Sequence, residues 1–186
     1  MKVVLGVSNR HIHLKKEHLE ILFGKNYELK KIRTLNQPNQ FVSDAKVTIK
    51  TDKGLLENVV IVGGLRDYTQ IEVSKTDAIK LGINPPVRTS GDIKNSEIVT
   101  LIGPEGSIQT EGCIIADRHI HITPKQKELY GLNDTVDILI NSEKGGIISD
   151  VHLKVSDNAY YELHLDTDDA NAFLLKNGDI LEIIQK

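Results

Sequence analysis

Tryptophan is absent, cysteine and methionine occur once each, and aromatic residues make up only 4% of the 186 positions. A core without large rings must be built from Ile, Leu and Val, and the β-branched members of that set favour strands. The single cysteine, Cys113, excludes an internal disulfide and fits a reducing compartment. It lies in the apolar run Cys113-Ile114-Ile115-Ala116, which reads as packing rather than as a nucleophile. No apolar stretch approaches membrane-spanning length, and Val3–Val7 is too short for a secretory signal. Neither sign of charge dominates: 23 basic against 26 acidic residues leave a net charge of -3. That balance gives no electrostatic reason to expect nucleic acid or an anionic membrane as partner. With 39% hydrophobic and 26% charged residues the chain is globular, and its length suits one ordinary domain or two small ones.

What is present, and twice, is a histidine pair. Ser8-Asn9-Arg10-His11-Ile12-His13-Leu14 stands near the start, and Ala116-Asp117-Arg118-His119-Ile120-His121-Ile122 past the middle. The string Arg-His-Ile-His is identical in both, and the two copies use four of the seven histidines. In an extended backbone, residues i and i+2 point to one side, so each pair aims two imidazoles at one point. Neutral imidazole is a common ligand for zinc and similar metals.

The surroundings repeat as well. Val3–Val7 reads as a buried strand running into the first pair, followed by a short helix over Lys15–Phe23 that Gly24 ends. After the second pair, Thr123 is an N-cap, Pro124 takes the first helical position and Gly131 closes the helix. Residues Tyr27–Asp44 read as an irregular link. Three hairpins follow, with turns at Asp52-Lys53-Gly54, Pro104-Glu105-Gly106 and Lys144-Gly145-Gly146 between β-branched runs. Short strands at this density suggest barrels or sandwiches.

Aligning Ile71-Glu72-Val73-Ser74-Lys75-Thr76-Asp77-Ala78 with Leu163-His164-Leu165-Asp166-Thr167-Asp168-Asp169-Ala170 sets Glu72 opposite His164. Each lies on a strand before a short helix, with Gly82 and Gly178 following. The chain thus reads as two halves, each supplying His, His and one further ligand: His11, His13 and Glu72, then His119, His121 and His164. Three protein ligands with an open position is the pattern of a catalytic zinc site. Gly63-Gly64-Leu65-Arg66 leads into Glu72, and an Arg beside a metal ligand suits an anion. Asn171 is expected near a helix N-terminus, where backbone N–H groups also favour anions. His18 is expected to face out of its helix, and His152 to sit in an ordinary strand.

The four motifs, Ser8–Leu14, Thr69–Ser74, Arg118–Pro124 and Leu163–Asp168, come in the order in which the phosphate propanoyltransferase family carries them, and the chain resembles that family from Val3 to Asp179. The resemblance implies a mainly β fold with short α-helices, built as two β-barrel domains related by an internal repeat. It implies 10–116 as one barrel half and 1–9 plus 117–186 as the other, where the residues alone suggest a cut near Gly91. It implies two Zn2+ per chain on the two triads above, Arg66 as the phosphate-binding and catalytic residue, and Val7, Ser8, Asn9 and Asn171 at positions that contact CoA. Lys53, in the first hairpin turn, is a further candidate for the CoA phosphates. The family usually has Pro in the loop before the Arg, where this chain has Gly64-Leu65. The implied reaction is the reversible conversion of acyl-CoA and phosphate to acyl phosphate and CoA, with a short acyl chain.

No Ser-His-Asp or Cys-His set stands out, so direct transfer without an acyl-enzyme is expected. The chain begins at its first strand, without the amphipathic extension of microcompartment members, so a cytoplasmic enzyme is expected, and a homo-oligomer is compatible with it. Two rival readings are a cupin-like metal oxygenase or isomerase and a non-catalytic metal-binding protein. The first builds one metal site per barrel with a different Gly and Pro spacing, and the second has no use for Arg66.

Overall fold

The computed structural model describes residues 1–184, so the last two positions of the second half, 185 and 186, lie outside the described residues. The chain divides into a terminal unit, Met1–Asn9 with Asp117–Lys186, and a central unit, Arg10–Ala116. Among the described residues it is mainly β with four short helices.

Strand β1 (Lys2–Ser8) opens the chain inside the terminal unit. The central unit then runs β2 (His11–His13), α1 (Lys16–Phe23), β3 (Lys31–Thr34), β4 (Phe41–Lys50), β5 (Leu55–Gly63), β6 (Gln70–Glu72), α2 (Lys75–Leu81), β7 (Val87–Arg88), β8 (Glu97–Ile102) and β9 (Ser107–Ala116). The chain returns to the terminal unit with β10 (His119–Ile122), α3 (Pro124–Tyr130), β11 (Thr135–Ile140), β12 (Gly146–Val155), β13 (Glu162–Asp166), α4 (Thr167–Ala172) and β14 (Ile180–Ile184).

Each unit closes a six-strand ring. In the terminal unit the order is β1-β13-β10-β12-β11-β14, with β14 pairing back to β1. In the central unit it is β9-β6-β2-β5-β4-β8, with β8 pairing back to β9. Written in that order the two rings match strand for strand, including which neighbours run parallel: β1–β13 and β10–β12 in one, β6–β9 and β2–β5 in the other. The strands that lead into the histidine pairs are exchanged. β1 runs in sequence into β2 but closes the terminal ring, and β9 runs into β10 but closes the central one. A cut at Gly91 would therefore strip β8 and β9 from the central barrel.

Alternation builds the interiors. In β4, Ala45, Val47 and Ile49 are buried and alternate with exposed Asp44, Lys46 and Lys50; in β11, Val136, Ile138 and Ile140 are buried and alternate with half-buried Thr135, Asp137 and Leu139. One core gathers Ile12, Leu19, Ile49, Ile61, Ile71 and Leu101 among others, the other Leu5, Ile120, Ile138, Val151 and Leu163. Helices α2 and α3 begin with capping boxes, Ser74 with Asp77 and Thr123 with Gln126, and both end on a left-handed glycine, Gly82 and Gly131.

Three local expectations change. The link over residues 27–44 contains β3, paired with β4; Lys-Ile-Arg-Thr is exposed along its whole length, so no burial pattern marks it in the sequence. Helix α4 ends at Ala172, with Leu174 taking the left-handed turn (φ 54), so Gly178 is not its cap. Asn171 is the fifth of the six residues of α4 and not at its N-terminus.

Candidate metal centre

In the central unit, β2 is only three residues long, but it is held on both sides, parallel to β5 and antiparallel to β6. Buried Ile12 and Ile71 face each other in the ladder and fix the face on which His11 and His13 stand. On that face His11 is opposite Glu72 and His13 opposite Gln70. The Nε2 atoms of His11 and His13 lie 3.2 Å apart, and Glu72 Oε1 is 3.6 Å from His11 Nε2. The terminal unit repeats the register, with His119 opposite His164 and His121 opposite Glu162. Here too the Nε2 atoms of the pair are 3.2 Å apart, and the three rings stand 4.6 to 5.1 Å from one another. In each triad the candidate ligand atoms all lie within 4.8 Å of one another.

These donor sets fit a divalent ion. Two nitrogens about 2.05 Å from a tetrahedral ion are roughly 3.3 Å apart, close to what both pairs show. Burial, with the neighbouring His11 and Arg66 charges adding to it, pushes His13 down to about 2; burial likewise pushes His121 down to about 2, with His164 and His119 adding. Both imidazoles are therefore neutral at physiological pH, the form that ligates. His119 Nδ1 lies 2.8 Å from the Asp117 carbonyl, a partner that assigns the proton to Nδ1 and leaves the Nε2 lone pair directed at the triad.

Arg66 sits at the central triad. Its Nη2 is 2.9 Å from His13 Nε2, and Nη1 donates to Tyr68 Oη and to Ser90 Oγ, each at 3.3 Å. The loop that carries it is pinned at both ends. The Arg66 N–H donates to the Leu14 carbonyl and the Gly64 N–H to the Asn39 carbonyl, while a side chain at Gly63 would clash with the Phe41 ring.

With this geometry in hand, the match to a family model is decisive: the phosphate propanoyltransferase family matches residues 4–176. The chain belongs to the phosphate propanoyltransferase family. A phosphate propanoyltransferase of Priestia megaterium is 50% identical over 180 residues, covering 95% of this chain and 83% of that protein. One of Thermotoga maritima is 45% identical over 187 residues (98% and 89%), and one of Rhodopseudomonas palustris 42% over 188 residues (100% and 83%). Membership in the phosphate propanoyltransferase family supports phosphate acyltransferase activity. Among the described residues no helix is long and apolar enough to cross a membrane.

The remaining candidate residues lie as follows. Val7 and Ser8 pair with Leu165 and Asp166 of β13, the strand that feeds α4 and so Asn171; the Val7 N–H donates to Asn177 Oδ1. Asn9 is the last residue of that segment of the terminal unit. Lys53 is not brought beside the central triad. Its aliphatic stem packs over Gly82 at the far end of α2, and seven residues, roughly 20 Å of strand, separate it from Val60 opposite His11. Cys113 is fully buried, and burial pushes its thiol up to about 12, so it offers no thiolate.

Several site neighbours escaped the sequence reading. Fully buried Gln70 donates from Nε2 to Glu72 Oε1 (2.6 Å) and Ser90 Oγ (3.0 Å), and its Oε1 accepts from the Gly91 N–H. Its counterpart Glu162 places Oε2 2.9 Å from His164 Nε2. The signal was available: both stand two residues before the third ligand, hence on its face of the strand. His18 does not face out, because its Nδ1 lies 2.9 Å from Thr69 Oγ1 on the loop before β6. His152 lies beside His119 on β12 and pairs with Asp117 at 3.3 Å, outside the triad.

Proposed function

We propose that this chain is a zinc-dependent phosphate acyltransferase that interconverts a short-chain acyl-CoA, acetyl or propanoyl, and phosphate with acyl phosphate and CoA. The observation that carries the reading is the contact of Arg66 with His13, which puts a guanidinium fork at the edge of a ligand triad in a chain of this family. Zn2+ held by His11, His13 and Glu72, and a second held by His119, His121 and His164, would supply Lewis-acid polarisation of substrate oxygens.

The chain's own residues do the rest. Arg66 takes phosphate bidentately and offsets its charge, and the Tyr68 and Ser90 hydroxyls beside it hold the guanidinium in line. A phosphate oxygen attacks the thioester carbonyl carbon; the new C–O bond forms, the C–S bond breaks, and CoA leaves as thiolate. Holding phosphate in place supplies the proximity contribution to the rate. The one thiol, Cys113, is buried and protonated and so is not an acyl acceptor, and the acyl group passes directly between the two substrates. Val7, Ser8, Asn9 and Asn171 are the CoA contacts of this proposal, Lys53 a more distant one, and a cytoplasmic enzyme its setting.

Release of CoA thiol from acetyl- and propanoyl-CoA, with and without phosphate, tests it. Strict dependence on phosphate and intersecting double-reciprocal lines are expected. Phosphate-independent thiol release would make the protein a thioesterase, and parallel lines would mean a covalent acyl-enzyme.

A further inference from the structure

The arginine that opens each Arg-His-Ile-His string takes no part in the chemistry above. Arg10 Nη1 bonds Asp77 Oδ1 at 2.8 Å; Arg118 grips Asp169 with two bonds, Nε to Oδ2 at 2.8 Å and Nη2 to Oδ1 at 2.6 Å. The partners are equivalent. Asp77 stands five residues after Glu72 and Asp169 five after His164, each the third residue of the helix that follows the third ligand.

Each aspartate is also tied to its own helix start. Asp77 Oδ2 accepts from the Ser74 N–H, closing the capping box, and the Asp169 N–H donates to Asp166 Oδ1. Each ion pair therefore joins the residue before the histidine pair to the helix that begins just past the third ligand. An incidental surface pair has no reason to recur at both positions. The ladders it supplements are short, since β2 and β6 share only His11–Glu72, Ile12–Ile71 and His13–Gln70.

We propose that Arg10 with Asp77, and Arg118 with Asp169, are positioning clamps that hold the third ligand of each triad at coordinating distance from its histidine pair. The proposal rests on the metal reading of the two triads. One geometric detail sharpens it. The Arg118 pair is a fork, which lysine cannot reproduce.

The test is zinc affinity of the metal-stripped full chain, titrated in competition with a chromophoric chelator, for wild type, R10Q, D77N, R118Q and D169N. Wild type should bind two ions. Each variant should weaken one ion about 10- to 100-fold, the usual effect of losing a group that orients a ligand, and leave the other unchanged. R118K should recover little of the loss. Asn at 77 or 169 can still cap the helix, so D77N and D169N keep the test meaningful if an arginine variant folds poorly. Equal weakening of both ions would mean a general loss of packing, and unchanged affinity in correctly folded variants would mean incidental pairs; either overturns the proposal. A wild-type chain that binds no zinc would instead sink the metal reading, and the clamps with it.

Discussion

At the scale of single residues, the site contrasts a group kept charged with groups kept neutral. Arg66 is held by two hydroxyls at Nη1 and a neutral imidazole at Nη2, and none of these three partners is a carboxylate. Its charge thus stays available to an anion. Arg66→Ala should lower kcat/KM for phosphate about 10²- to 10³-fold, the loss expected of one preorganised charged donor, and should leave the KM for acyl-CoA nearly unchanged. Steady-state kinetics with each substrate varied in turn measures both, and Arg66→Lys should fall between, keeping charge without the fork. Cys113 makes the opposite case. The unfolded thiol ionises near 9, while the buried one is held protonated to about 12. Between those values the unfolded chain gives up a proton that the folded chain keeps, so stability falls as pH rises through that window, by about 1.4 kcal/mol per pH unit at most. Denaturant unfolding at pH 8 and pH 10.5 should show this extra loss in wild type, and Cys113→Ala should lack it.

At the scale of elements, local chemistry decides the helices and long-range pairing decides the strands. Thr123, Pro124, Gln126 and Gly131 announce α3 because caps act over three or four residues, and every one of them sits where that chemistry places it. Nothing comparable announces β3, whose exposed residues are strand only because β4 pairs with them. The caps also separate stability from activity. Thr123→Ala should cost about 1 kcal/mol of unfolding free energy with little change in turnover. Ser74→Ala should cost a similar amount and also lower zinc affinity or turnover, because Ser74 begins the helix two residues after Glu72. Paired denaturation and rate measurements on the two variants check the contrast.

At the scale of the whole molecule, the exchanged strands set which pieces can stand alone. Residues 10–116 contain all six strands of the central ring, whereas 117–186 lack β1, whose Val3 and Leu5 are buried in the terminal core between β13 and β14. Burying two such side chains contributes about 1.5–3 kcal/mol each, and without β1 two barrel strands also lose their partner. A 10–116 fragment should unfold cooperatively on its own. A 117–186 fragment should not, until a peptide covering 1–9 is supplied; circular dichroism melts with and without the peptide give the answer.

By itself the sequence determined the duplicated histidine pairs, the alignment of Glu72 with His164 as third candidate ligands, the caps, the hairpins and the family, because each is written in spacings of two to eight residues or in motifs read in order. Only the tertiary structure decided that Gln70 and Glu162 flank the third candidate ligands, that His18 turns in to Thr69, that Lys53 in the turn before β5 packs at Gly82, and that Arg10 and Arg118 meet aspartates 67 and 51 residues away. Those contacts follow from strand register and ring closure, which depend on burying two separate cores at once, and no local spacing encodes which distant strand will complete a barrel.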